Sequence, residues 1–153
     1  MSFLRNRKVW LTAILIAAIA GAMIFSLSRA KWESEVVLSG KAFTVEVADT
    51  SYLLERGLSG HAPLADDEGM LFIFQRPDTY GFWMKDMLFP LDIIWIGADM
   101  RIISIRKSVS PDTYPQIFYP SAPSLYALEI SAGQSDRLGL KIGDSIQFVK
   151  KWL

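Results

Sequence analysis

The sequence predicts a mostly β domain of the α+β class. The expected form is a small antiparallel, barrel-like sheet with one or two short helices, preceded by a single N-terminal transmembrane helix. Three observations lead there. After residue 30 the apolar residues come in short runs of strand length, cut by Gly, Pro, Asp and Ser. Only two brief stretches, Asp49–Gly57 and Ser135–Gly139, carry helix start and stop residues. An uncharged run, Val9–Leu27, follows Arg5, Arg7 and Lys8 at the N-terminus. As a helix it would extend about 28 Å, close to the thickness of a bilayer's hydrocarbon core.

Residues 1–8 read as a basic cytoplasmic tail, 9–27 as the membrane span, 28–35 as a polar tether and 36–153 as an extracytoplasmic β-rich domain. Bases before the span keep the N-terminus in the cytoplasm. A cleaved signal peptide is the other reading, with Ser28-Arg29-Ala30 as a small-x-small site. Cleavable apolar regions are usually shorter than this one, which favours an anchor. Both readings put the domain on the side of the membrane away from the cytoplasm.

Within the domain, Val36–Ala48 alternates, with Phe43, Val45 and Val47 on one face, Thr44 and Glu46 on the other, and a turn at Ser39-Gly40. Asp49-Thr50-Ser51 cap a short helix over Tyr52–Arg56, which Gly57 ends. Ala62–Glu68 is loop. Met70–Phe74 is apolar throughout, hence a strand buried on both faces. Gly81–Met84 reads as a short strand, and Pro90 breaks the chain before a third β-rich run, Leu91–Ile96. Gly97-Ala98-Asp99 turns into a hairpin partner, Arg101–Arg106. Four prolines make Ser108–Pro123 a long surface loop. Leu125–Ile130 is a strand, Ser135 caps one helical turn through Leu138, and Ser145–Trp152 closes the sheet.

Composition narrows the function. The chain has no Cys and one His, so thiol catalysis and thiolate metal sites are impossible and transition-metal sites are poorly supported. The net charge of zero hides an asymmetry. Four of the 16 bases and none of the 16 acids fall in residues 1–30, so that segment carries +4 and the remainder −4. An acidic domain with no basic stripe does not suit nucleic acid.

Several segments in order resemble the bacterial and archaeal family known as domain of unknown function 192. They are Glu55-Arg56-Gly57-Leu58, Asp67–Phe72, Phe82–Met87, Pro90–Ile94, Tyr126–Glu129, Gly133 and Gly143-Asp144, and the resemblance covers about residues 41 to 150. It implies the fold, no established activity, and an exported or anchored setting: the inner (cytoplasmic) membrane of a bacterium, with the domain in the periplasm or outside the cell. Ser59-Gly60-His61 departs from the family pattern, which usually continues with Met and a base.

The candidate ligand-binding residues are Arg56, Glu68, Trp83, Lys85 and Asp92. Asp92 opens an apolar strand, where a carboxylate needs a partner, either Arg56 or Lys85, or backbone groups that it caps. Trp83 would offer a stacking face, beside Phe82 and Tyr80. Gly57–His61 lacks the second Gly and the preceding strand of a nucleophile elbow. Asp66-Asp67-Glu68 lacks the ligand spacing of a calcium loop. No catalytic residue, metal ligand or cofactor is assigned. The expected function is that of a membrane-anchored binding domain, for a small polar ligand such as a carbohydrate or for an envelope protein. The alternatives are an accessory subunit of a membrane protein complex, docked through Val9–Leu27 and Ser108–Pro123, and a hydrolase using Glu68 or Asp92.

Overall fold

A computed structural model describes residues 34–149. The predicted basic tail, the membrane span at 9–27, the tether up to residue 33 and Trp152 lie outside the described residues. Among the described residues no helix is long and apolar enough to cross a membrane.

The strands are β1 (Ser34–Leu38), β2 (Lys41–Ala48), β3 (Glu68–Asp78), β4 (Leu91–Ile96), β5 (Ile102–Val109), β6 (Ser124–Ser131) and β7 (Ile146–Phe148). Two short helices interrupt them, α1 (Ser51–Arg56) and α2 (Gln134–Arg137), with one 3₁₀ turn at Pro111–Thr113. All seven strands form one sheet in the order β5-β4-β6-β3-β2-β1-β7.

The sheet is mixed, not antiparallel throughout: β2 and β3 run parallel, with Val45 beside Gly69 and Val47 beside Leu71. Parallel neighbours need a crossover of a dozen residues or more. The segment from Asp49 to Asp67, with α1 inside it, is that crossover. Thr50 caps α1 by accepting from Leu53 N–H, and Gly57 ends it at φ +51°. The hairpin turn at Ser39-Gly40 forms as expected, both residues at positive φ, as a two-residue turn between twisted strands requires. The expected strand at Gly81–Met84 is absent; Phe82 makes a single bridge to Phe118.

The sheet curls because β5 carries extra residues against β4. Lys107 and Ser108 together oppose Asp92, and Ile103 is extra between Ile102 and Ser104. Such bulges bend a strand and raise its twist. The curl brings the two sheet edges together at one end, where Arg101 bridges Ser145 and Ile102 N–H donates to Asp144 O at 2.9 Å.

Both faces of the curled sheet are covered. Every strand contributes to an inner core that includes Leu38, Phe43, Leu71, Ile94, Ile102, Leu128 and Ile146. The outer face carries a second core, with Met70, Phe72, Ile93, Trp95 and Ala127 beneath Leu58 and Phe82–Phe89. All six β4 residues are therefore buried, which is why Leu91–Ile96 is nearly continuous in apolar residues. Trp95 is fully buried and donates its indole N–H to Tyr80 O at 2.9 Å.

The exception in β4 is Asp92, 0% exposed. Its Oδ1 accepts from Ser108 N–H at 2.8 Å and Gly133 N–H at 3.1 Å, and its Oδ2 from Ser135 N–H at 2.8 Å. Ser108 is the bulge residue, at φ +51°, and its turned amide points at the carboxylate. The other two amides belong to the start of α2. Ser135 was expected to cap this helix; it lies inside α2, and Asp92 from the neighbouring strand satisfies the helix's first amides instead. Replacing Asp92 by Ala would leave three amides short of an acceptor. Asp92→Ala is expected to lower stability by about 3–5 kcal/mol, read as a fall in the urea midpoint, with Asp92→Asn falling between it and wild type.

Candidate functional site

Aromatic side chains collect on the outer face for a local reason. Along β3, Phe72 and Phe74 share the face opposite Leu71 and Ile73, and the segment after β3 folds back over them. Phe82 meets Phe72 edge-on at 4.8 Å and Trp95 edge-on at 5.7 Å, and Tyr80 stacks on Phe74 at 3.6 Å. The chain just past α1 is tied to this segment: Ser59 Oγ donates to Lys85 O at 2.8 Å and Gly60 N–H to Asp86 O at 2.9 Å. Between α1 and the aromatic segment lies a cavity of about 370 Å³.

Its walls are Phe72, Phe74, Tyr80, Phe82, Trp83 and Met87. Its polar lining comes from Ser51, Glu55, Arg56 and Ser59 on the α1 side and from Glu129 on β6. A second, more polar groove of about 310 Å³ adjoins it and includes Tyr52, Lys85 and Asp86. Arg56 and Trp83 line both. Trp83 is 41% exposed, lies edge-on to Tyr114 at 6.0 Å, and has the Lys85 ammonium 5.7 Å from its ring centre.

Three of the five residues expected to form a site therefore meet here: Arg56, Trp83 and Lys85. The other two do not. Asp92 is spent on the three backbone amides. Glu68 lies at the start of β3, where Oε2 accepts from Ala65 N–H at 2.9 Å and closes the preceding loop. The neighbouring Asp66 binds Gln134 Nε2 at 3.0 Å and Arg137 at 3.4 Å, ties that hold the loop to α2.

Glu129 was missed. It is 4% exposed, lines the cavity, and its Oε2 is buried with no hydrogen-bond partner. Its neighbours on the sheet are Met70 on β3 and Ile93 on β4, neither of which can donate. Burial pushes its carboxyl up to about 8. The signal was in the sequence: an acid inside the apolar run Ala127–Ile130, the same anomaly that marks Asp92. Gly57 keeps the space above it open. A Cβ there would lie 3.4 Å from the Phe72 ring and 3.9 Å from Glu129 Oε2.

A neutral acid in the folded state has a consequence for stability. The unfolded chain ionises Glu129 from its ordinary value of 4.5, whereas the folded chain holds the proton up to about 8. The stability that this group contributes is complete below the lower value and is lost as pH rises toward the upper one. Glu129→Gln is therefore expected to flatten the pH dependence of the melting temperature between pH 5 and pH 8. Wild type should lose stability across that window relative to the variant, in parallel thermal melts.

Comparison with known proteins agrees with this architecture. A crystal structure of a protein of unknown function from Novosphingobium aromaticivorans is 36% identical, covers 74% of this chain and 81% of its own, and superposes with a TM-score of 0.69. One from Sinorhizobium meliloti, described as a "putative transcription regulator", is 32% identical over 77% of this chain and 95% of its own, with a TM-score of 0.70. No curated protein matches. The DUF192 family model, described as "Uncharacterized ACR", matches residues 34–148. This chain belongs to the domain of unknown function 192 family.

Proposed function

We propose that the domain is a binding module for a small ligand that has an apolar ring face and a polar edge, the class to which saccharides belong. The observation that carries this reading is the cavity between α1 and Tyr80–Met87. It combines five aromatic side chains with a few polar groups that converge from different elements. Aromatic faces take up the apolar side of a ring, and the polar groups select its orientation. The hydrolase reading loses Asp92, whose carboxylate is taken up by backbone amides.

A second reading has one specific observation behind it. Tyr114, Ile117 and Tyr119, all exposed, stand on the Pro-rich loop beside Trp83 and Gly81. An envelope protein docking on this loop would cover them. In both readings the run Val9–Leu27 anchors the chain in the inner membrane, with the domain on the far side. Nucleic acid is disfavoured by the acidic balance and by the pairing of exposed bases with acids, Lys107 with Asp136 at 2.6 Å and Arg137 with Asp66 at 3.4 Å.

The test is a titration of the isotopically labelled chain with a panel of monosaccharides, followed by NMR. Binding is expected to shift the amides of Gly57, Phe82 and Glu129. Trp83→Ala should weaken it by about tenfold, the worth of one aromatic contact. A panel that leaves these amides unmoved would count against the reading.

A further inference from the structure

The aromatic cavity ends at a carboxyl group that the protein itself leaves unpartnered. We propose that the polar group of the ligand is a cation, an ammonium seated against Glu129 with its hydrocarbon ring against Phe72, Phe74 and Phe82. The inference rests on the binding reading above and narrows it to amine-bearing ligands.

Three features support it. Glu129 Oε2 is buried and without a partner, and the carboxyl lines the cavity. A buried polar atom left unpaired is costly, and a ligand that supplies a donor removes that cost. The flanking residues on both neighbouring strands, Met70 and Ile93, are apolar, so the partner must come from the cavity side. Finally, the walls are aromatic, and ring faces attract cations as well as apolar surface.

The charged groups around Glu129 permit a cation there. From α1, Glu55 and Arg56 line the cavity, both exposed and of opposite sign. Tyr80 is the titratable group that the following segment brings to the lining. On β2, Glu46 lies beyond Met70 in the same cross-strand row, an acid and not a base. On β4, Asp92 is engaged with backbone amides, and on β5 Arg106 stacks over Phe118 at 5.4 Å. Lys85 lines the adjoining groove.

Because Glu129 holds its proton up to about 8, an ammonium arriving at pH 7 displaces it. The O–H bond of the carboxyl breaks, the proton leaves to buffer, and the carboxylate pairs with the ammonium. Affinity is then expected to rise roughly tenfold from pH 7 to pH 9, with close to one proton released per ligand at pH 7.

The experiment is isothermal titration of the full chain with cyclohexylamine and, separately, cyclohexanol, in two buffers of different ionisation enthalpy. Cyclohexylamine should bind at least tenfold more tightly, and the buffer dependence should report the released proton. Glu129→Gln should abolish both the preference and the proton release, with its melt confirming that it folds. Equal affinity for the two probes, or proton release that persists in the variant, would overturn the inference. So would failure of cyclohexylamine to bind. If monosaccharides still shift the cavity amides in that case, the binding reading stands and only the cationic assignment falls.

Discussion

The carboxylate of Asp92 holds together the parts of the structure that the sheet ladder alone would leave loose. It lies fully buried at the start of β4 and reaches three amides from two separate places in the chain. One of them, Ser108, belongs to the bulge that helps β5 bend. The other two open α2. From α2 the ties continue: Gln134 Nε2 donates to Asp66 O at 2.9 Å, and Lys41 Nζ donates to Gln134 Oε1 at 3.2 Å. One charge, satisfied entirely by backbone donors, thus links the curl of the sheet to the loop that leads into β3. A carboxylate is stable in an apolar interior only where hydrogen-bond donors meet it, and here three do.

The curl in turn decides where open space remains. The inner core is filled by side chains from all seven strands, as expected of a small barrel. The cavity lies instead on the outer face, beneath α1 and the segment after β3. That segment is held by few ladder bonds. It is fixed by Phe82 and Phe118, which exchange backbone bonds at 2.9 and 2.8 Å, and by the ties of Ser59 and Gly60 to residues 85 and 86. The crossover that makes β2 and β3 parallel is what places α1 over the aromatic row.

Much of this was legible in the sequence, for identifiable reasons. Runs such as Leu91–Ile96 and Met70–Phe74 announce buried strands, and Ser39-Gly40 and Pro90 punctuate them correctly. Strand direction was not legible, because alternation of side chains is the same in a parallel and an antiparallel partner. Gly81–Met84 misled because Phe82 and Met84 are buried and Trp83 exposed, as in a strand, while loop packing and not a ladder imposes the alternation. Asp92 announced its need for a partner, but nothing in the sequence says that the partners are amides distant along the chain. Glu129 broke an apolar run in the same way, and its cavity exists only once α1, β3 and β6 have come together.

Since the sheet separates two differently occupied spaces, consecutive residues of one strand answer to different demands. On β3, Leu71 fills the barrel and Phe72 walls the cavity; on β6, Leu128 and Glu129 divide in the same way. A substitution at one position of such a pair is felt as a change in the frame, and at the next as a change in what the frame can hold. Tolerance to variation along β3 and β6 should therefore alternate residue by residue, so that these strands can change the lining of the cavity one face at a time while the barrel interior stays as it is.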